Sequence, residues 1–387
     1  MKKLLITAST FPRWENDTEP RFILDCAIEL NKYYDVTVLV PAAPGSKKSE
    51  VLDGVNVVRY HYFPIHKLET LCYPGAIVPR IKEKKIRVLL VPFLFASLFF
   101  KLLFTRKKYD LFISNWIIPQ GIIHAFFSDK YIQVGLGGDV TSLNKGILKT
   151  LKKRCVEKSP YIVVVSDDLK SSLIENYQLD ENKIEVVPMG VNLAKFSPAN
   201  RIENYFNQGD KKVILFVGRL VEKKGTEYLI KAMKDIQAKL IIVGDGPQRD
   251  YLVELANGIG SDIEFVGSKN KDELIKMYAS CDIFCLPAVL AKDGDKDGTP
   301  VALIEAMASG AVPVGTNVGG VGEVIKHEIN GLIVEDRDEN ELHSALESLL
   351  KNDELRAVYS AEARKRAEEF DFIKIGERYK ELLEEYC

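Results

Sequence analysis

The chain has 387 residues, 46% of them hydrophobic and 28% charged, with a formal net charge of −2. Its length exceeds what one hydrophobic core usually serves, so two domains are expected. The near-neutral charge speaks against a dedicated nucleic-acid binder, and six scattered cysteines speak against a disulfide-stapled scaffold.

The N-terminus, Met1-Lys2-Lys3-Leu4-Leu5-Ile6, carries an apolar run that ends at Thr7. The run is too short for the core of a signal peptide and reads as a first strand, so the protein is expected to stay in the cytoplasm. Strands are predicted at 4–8, 36–40, 55–59, 111–114, 132–135, 162–165 and 184–187, with a helix over 21–32. Apolar strands alternating with helices imply parallel βαβ units.

The region 80–108 stands apart. Lys82, Lys84, Lys85 and Arg87 precede an apolar run over 88–104, and Arg106, Lys107 and Lys108 follow it. The run is near the lower length limit for crossing a bilayer and contains Pro92 and Lys101. Aromatic and apolar residues beside basic clusters suit the surface of an anionic leaflet, and a buried core helix is the alternative.

The polar segment 192–212 reads as a linker between a domain over 1–195 and another over 205–369. A second series follows it. Strands are predicted at 213–217, 240–243, 263–266, 283–286, 312–315 and 331–334. Helices are predicted at 225–233, 248–256, 271–279, 299–309, 321–325 and 339–351. The fold class is therefore α/β, with two doubly wound, Rossmann-like domains facing across a cleft. Open parallel sheets bind ligands outside the C-terminal ends of their strands, so the loops there are the places to search.

After 213–217 comes Gly218-Arg219-Leu220-Val221-Glu222-Lys223-Lys224-Gly225. The outer glycines let the backbone pass close to a ligand, and Arg219 and Lys224 supply two cations for a diphosphate. A solvated basic loop is the competing reading. Gly244-Asp245-Gly246-Pro247 reads as a tight turn. Val266-Gly267 ends the next strand. Gly319-Gly320-Val321-Gly322 is glycine-rich but lacks the dinucleotide fingerprint.

The stretch from Asp297 to Gly310 is the most informative. Thr299 and Pro300 are predicted to open a helix that Gly310 closes. Such a helix start suits a phosphate. Asp297 lies in the loop before it, and Glu305 lies roughly one and a half turns in, about 8 Å along the axis. Two carboxylates flanking an anion site suit a ligand with phosphates and several hydroxyls, such as a nucleotide sugar.

The first domain offers Arg13, Asp17 and Glu19 after the first strand, and Asp139 within Leu136-Gly137-Gly138-Asp139. The five histidines, His61, His66, His124, His327 and His343, show no pair at metal-ligand spacing, so no metal site is expected. Cys281 and Cys285 read as part of a buried strand. With no Gly-x-Ser-x-Gly elbow, hydrolase readings lack a nucleophile.

These pieces resemble the family-four retaining glycosyltransferases of the GT-B fold. The resemblance rests on Gly218-Arg219-Leu220 with Lys224-Gly225, on Gly244-Asp245-Gly246-Pro247, and on Phe265-Val266-Gly267, in the family's order and spacing. The junction Val187-Pro188-Met189-Gly190-Val191-Asn192 fits as well. Asp297 and Glu305 stand where the family has two glutamates separated by seven residues.

The resemblance implies transfer of a sugar from a nucleotide donor, UDP- or GDP-linked, to a lipid-linked or glycan acceptor, with no cofactor or metal. It implies that Arg219 and Lys224 hold the diphosphate and stabilise the leaving group. Asp297 would contact the donor sugar, and Glu305 would accept hydrogen bonds from the ribose. Val266 and Gly267 would meet the base through their backbone, and Gly218, Gly298, Thr299 and Pro300 would complete the donor site. Arg13 and Asp139 would lie on the acceptor side. The C-terminal helix over 370–387 would cross back to the first domain.

The chain departs from the family pattern in three ways. Aspartate replaces glutamate at 297, leucine replaces histidine at 136, and the first loop lacks paired glycines. A donor-binding protein without turnover, and a sugar epimerase of the same fold, are the other readings.

Overall fold

The computed structural model describes residues 1–15, 17, 19–127, 130–292, 294, 296 and 298–386. The chain forms two compact units. The first takes in Met1–Val165, Leu169–Val187 and Ile373–Cys387, and the second Ser166–Asp168 and Pro188–Phe372.

The first unit is built on strands β1 (Lys3–Thr7), β2 (Asp35–Pro41), β3 (Ser49–Leu52), β4 (Val55–Tyr60), β5 (Leu111–Asn115), β6 (Ile132–Gly135), β7 (Tyr161–Val164) and β8 (Ile184–Val186). They lie in the order β3-β4-β2-β1-β5-β6-β7-β8. All neighbours are parallel except β3 and β4, which form a hairpin with Leu52 opposite Val55. Asp53 and Gly54 make its two-residue turn, both at positive φ, the geometry that matches strand twist. The strand pattern of the sequence omits β3, although Asp-Gly is its turn signal.

The central strands are apolar on both faces because helices cover both sides. Leu4 and Ile6 join one buried cluster, while Leu5 joins another with Leu39 and Phe112. The helix Val91–Thr105 enters this second cluster through Leu94, Leu98 and Leu102, one stripe at helical spacing. Val91, Phe95 and Phe99 pack partly against the same cluster, whereas Phe93, Phe100, Leu103 and Phe104 face outward, Phe100 54% exposed and Phe104 76%. The segment Lys85–Lys108 is long and apolar enough to cross a membrane, yet its leucine stripe is fixed in the core of this unit. One face of the helix is packed in this core and the opposite face carries exposed apolar residues.

The C-terminal helix Phe372–Tyr386 belongs to this unit for nearly all its length. Ile375, Tyr379, Leu382 and Leu383 fill the β1 cluster, and Arg378 Nη2 donates to Glu185 Oε2 at 2.6 Å.

The second unit carries β9 (Lys212–Val217), β10 (Ala238–Val243), β11 (Ile263–Gly267), β12 (Ile283–Leu286), β13 (Val312–Thr316) and β14 (Leu332–Val334). Its order is β11-β10-β9-β12-β13-β14. Every pair is parallel. From β9 the chain winds to one side, then returns to place β12 on the other, with Ile214 beside Ile283. The loops leaving β9 and β12 therefore diverge, which is the switch-point crevice of doubly wound sheets.

The segment 192–212, expected to be a linker between domains, is packed into this unit. Phe196 and Phe206 are buried in its core, and Arg201 Nη2 bonds Asp282 Oδ1 at 2.9 Å. Its polar composition reflects the outer side alone.

Candidate functional site

The loops after β9, β10, β11 and β12 are stitched together by backbone hydrogen bonds. Gly218 N donates to Val243 O at 3.0 Å, Gly244 N to Gly267 O at 2.9 Å, and Leu220 N to Asp245 O at 3.0 Å. Val289 N, beyond β12, donates to Lys223 O at 2.9 Å.

Two glycines make this approach achievable. Gly244 has φ +132°, and a Cβ there would lie 1.9 Å from Gly218 O. Gly225 has φ +64°, and a Cβ there would lie 1.7 Å from Pro287 O. Both contacts are far inside van der Waals range, so side chains at these points would push the loops apart. The Gly244–Gly246 turn thus serves as packing, as its sequence suggests. The Gly319-Gly320 turn serves the same purpose, since a Cβ on Gly320 would meet Gly298 O at 2.4 Å.

Arg219 and Lys224 sit half-buried on the β9 loop, at the switch point. The aliphatic stem of Lys224 runs past Gly218, with Cε 3.5 Å from the position of an added Cβ. Two cations five residues apart are held on one loop by a short helical turn, Glu222–Lys224. Val266 and Gly267 end β11 on the same rim, and Gly267 O is already engaged by Gly244.

The helix after β12 runs Val301–Ala308, with Pro300 in the cap position. It starts two residues later than its sequence suggests. Pro300 has ψ 84°, outside the helical range, so Thr299 and Pro300 lead into the helix rather than belong to it. Gly310 N to Met307 O and Ala311 N to Ala306 O, both 3.0 Å, close it as a Schellman turn. Gly298, Thr299 and Pro300 thus lie at the start of this helix, beside the loop after β13. Asp297 lies outside the described residues.

Glu305 is buried, and its partner is Lys271, whose Nζ bonds Glu305 Oε1. The same ammonium stands 4.7 Å from the ring centre of Phe196. Lys271 opens the helix Lys271–Ser280, whose start is fixed by a reciprocal Asn270–Glu273 capping box. Burial, reinforced by the Glu305 charge, raises the pKa of the Tyr278 phenol well above its ordinary value. Lys271 has no place in the motif reading of the sequence. The signal was the capping box after Gly267-Ser268, which sets residue 271 in a first helical turn at the strand ends.

The first-unit candidates are engaged internally. The Arg13 guanidinium pairs with Asp17, Nε to Oδ2 at 3.1 Å, and lies between Trp14 and Tyr73, 3.7 and 3.5 Å from their ring centres. Glu19 Oε1 accepts from Gly75 N at 3.0 Å. The Asp139 carboxylate accepts from Ile117 N at 2.9 Å, Leu136 N at 3.1 Å and Gly137 N at 2.9 Å. Burial moves its pKa up, and the three amides oppose that. Asp139 thereby staples the β6 loop to the β5 loop.

Nearby, Lys152 Nζ is buried among Val140 O, Ser142 O and Asn144 Oδ1; burial lowers its pKa to about 8. His124 is a core residue. Its Nε2 lies 3.1 Å from Thr7 Oγ1, and burial lowers its pKa to about 3. Cys281 and Cys285 are buried free thiols whose pKa values burial raises.

Two family models match the chain. One, described as Glycosyltransferase Family 4, matches residues 20–195, and the other, Glycosyl transferases group 1, matches residues 199–366. The uncharacterized glycosyltransferase MJ1607 of Methanocaldococcus jannaschii is 35% identical over 215 residues, 52% of this chain and 54% of that protein. This match therefore spans about half the length of that relative. A GDP-mannose-dependent alpha-(1-6)-phosphatidylinositol monomannoside mannosyltransferase of Mycobacterium tuberculosis is 32% identical over 179 residues, 43% of this chain and 46% of that protein.

Among solved structures, sucrose-phosphate synthase from Thermosynechococcus elongatus superposes with a TM-score of 0.78 at 20% identity, covering 99% of this chain and 98% of its own. Anabaena HepE in complex with UDP and glucose does so with a TM-score of 0.75 at 18% identity, covering 99% and 100%. These structures share the GT-B fold. The two family models together span both units from residue 20 to residue 366, and the chain belongs to glycosyltransferase family 4.

Proposed function

We propose that the protein is a retaining, metal-independent glycosyltransferase using a UDP- or GDP-linked sugar. The observation that carries this reading is the switch-point rim of the second unit. Arg219 and Lys224 are held on the β9 loop, stitched to the loop before Val301–Ala308, and Glu305 lies within that helix. The guanidinium fork and the ammonium bind the donor diphosphate. They stabilise the charge that develops on it as the anomeric carbon–oxygen bond breaks. The acceptor hydroxyl attacks the same face of the sugar, its oxygen bonds the anomeric carbon, and its proton passes to the leaving phosphate oxygen. No enzymic base is required, so Leu136 in place of histidine is compatible with turnover. Asp297 contacts the sugar hydroxyls, Glu305 the ribose hydroxyls, and Val266-Gly267 the base.

The acceptor is lipid-linked or a glycan, made on the inner face of the cell membrane. The open apolar face of Val91–Thr105, flanked by Lys85, Lys101, Arg106, Lys107 and Lys108, supports peripheral attachment there. The GDP-mannose and phosphatidylinositol monomannoside in the name of the mycobacterial relative fit this assignment, as does the UDP bound to HepE.

The test is a thermal-shift screen of the purified chain against UDP- and GDP-sugars, followed by transfer assays and anomeric analysis of the product by NMR. Stabilisation by one donor and a product of unchanged anomeric configuration are expected. Arg219→Ala should lower kcat/KM by roughly 100-fold or more, and Glu305→Ala should raise the donor KM. Donor binding without any transfer, or full activity in both variants, would refute the reading.

A further inference from the structure

We propose that His61, His66 and Glu69 form a binding site for a divalent transition metal, with zinc the best match, in the first unit. His61 directly follows β4, His66 opens a single helical turn over His66–Leu68, and Glu69 follows that turn. Contrary to the expectation from sequence, the His61-x4-His66 spacing falls within the range of zinc-binding histidine pairs, and the turn folds the two rings face to face. Their rings stack with centres 3.5 Å apart and planes 4° apart. The ligand atoms of all three residues lie within 4.8 Å of one another.

The carboxylate is already oriented. Glu69 is 2% exposed. Its Oε1 accepts from Tyr62 N at 2.6 Å and Phe63 N at 3.1 Å, while Oε2 faces His61 Nδ1 at 2.8 Å. One oxygen is thus fixed by two backbone amides and the other is presented to an imidazole. Metal sites use this kind of outer hydrogen bonding to aim a ligand. Two imidazoles and one carboxylate, with water in the remaining position, are a common zinc donor set.

Tetrahedral ligands at about 2.1 Å stand roughly 3.4 Å from one another. Binding therefore closes the widest ligand gap by up to about 1.4 Å, opens the His61 Nδ1–Glu69 Oε2 pair from 2.8 Å by about 0.6 Å, and turns the His66 ring out of the parallel stack. His66 is exposed, so its ring has room to turn. The buried carboxylate is the fixed half of the site and the exposed imidazole the moving half.

The ion would tie the His66–Leu68 turn to the end of β4. The next residue, Thr70, carries that restraint onward. Its carbonyl accepts from Arg80 Nε at 3.2 Å and its Oγ1 from Arg87 Nε at 3.3 Å. Both arginines belong to the basic segment that precedes Val91–Thr105. Bound metal would thus stiffen the base of the apolar helix. The site is structural and lies within the first unit.

The experiment uses the untagged full-length chain, stripped with EDTA and dialysed. It is titrated with zinc by calorimetry, and with cobalt(II) by visible absorption. One ion per chain, a rise in Tm with zinc, and the d–d bands of tetrahedral cobalt are expected. His66→Ala, at an exposed position, should fold normally and weaken zinc at least tenfold. His61→Ala should do the same, and Glu69→Gln should weaken binding while keeping an acceptor for the two amides. His327→Ala, an exposed histidine elsewhere, should bind like the wild type. Absence of stoichiometric binding to the wild type would overturn the proposal. So would unchanged affinity in both His61→Ala and His66→Ala, or loss of binding in His327→Ala.

Discussion

Replacing Lys271 with methionine removes the cation from a mostly buried ion pair and keeps much of its aliphatic volume. The Lys271 side chain is 26% exposed and that of Glu305 is 7% exposed. Breaking a fully buried pair by removing one partner costs about 3–5 kcal/mol, because the remaining charge is left uncompensated. Solvent access at Lys271 reduces this to about 2–3 kcal/mol. For a domain of roughly 200 residues each kcal/mol moves Tm by about 2–4 °C, so a fall of roughly 4–12 °C is expected in the second unit.

Calorimetry of the variant reads this directly. Lys271→Met/Glu305→Gln removes both charges and should recover much of the lost stability. The two effects then fail to add, as expected for groups in contact. On the proposed function, the single variant also loosens the carboxylate that meets the ribose. The donor KM should rise roughly tenfold or more while kcat changes less. The double variant should regain stability without regaining donor affinity. A Tm loss below about 2 °C in Lys271→Met, or a double variant no more stable than the single one, would refute the reasoning.

Two further outcomes follow from the first unit. His124 is neutral in the fold down to about pH 3, whereas the unfolded chain protonates it near 6.5. The unfolded state therefore binds the extra proton between these values, so stability rises with pH there and is lost as pH falls below about 6.5, by up to about 1.4 kcal/mol per pH unit. Denaturant titrations from pH 7 to 4 should show this slope, and His124→Gln should flatten it; an unchanged slope in the variant would show that other groups cause it. For the membrane proposal, the protein should co-sediment with phosphatidylglycerol-containing vesicles and release as salt is raised. Phe100→Ser/Phe104→Ser should lower the bound fraction roughly tenfold or more at equal salt, and equal binding by this double variant would remove the helix from the interface.

The alternation of strands and helices was legible because a parallel strand buried on both faces must be a short apolar run. Leu215, Ile241 and Phe284 sit in such runs, each buried in the second unit's core. The site loops were legible for a related reason. Gly225 and Gly244 occupy positions where a Cβ would collide with a neighbouring carbonyl, so close loop packing leaves a trace in composition. The hairpin strand β3 was less visible, since Ser49–Leu52 is mostly open to solvent and carries little apolar signal. The segment 192–212 misled for the opposite reason. Two buried phenylalanines hold it in place, and they are a minority among its polar residues.

Sequence alone determined the two α/β units, their loop motifs and the family, because glycine, proline and apolar runs act locally on the backbone. Tertiary structure decided where polar side chains find partners, because those partners are distant in the chain and leave no periodicity. Lys271 meets Glu305 across 34 positions, and Asp139 takes the amide of Ile117 across 22. His61 and His66 face each other because of how one short turn folds. The same physics divides Val91–Thr105, whose apolar composition is evident in sequence. Only packing shows that Leu94, Leu98 and Leu102 are spent on the core, while Phe100 and Phe104 remain open.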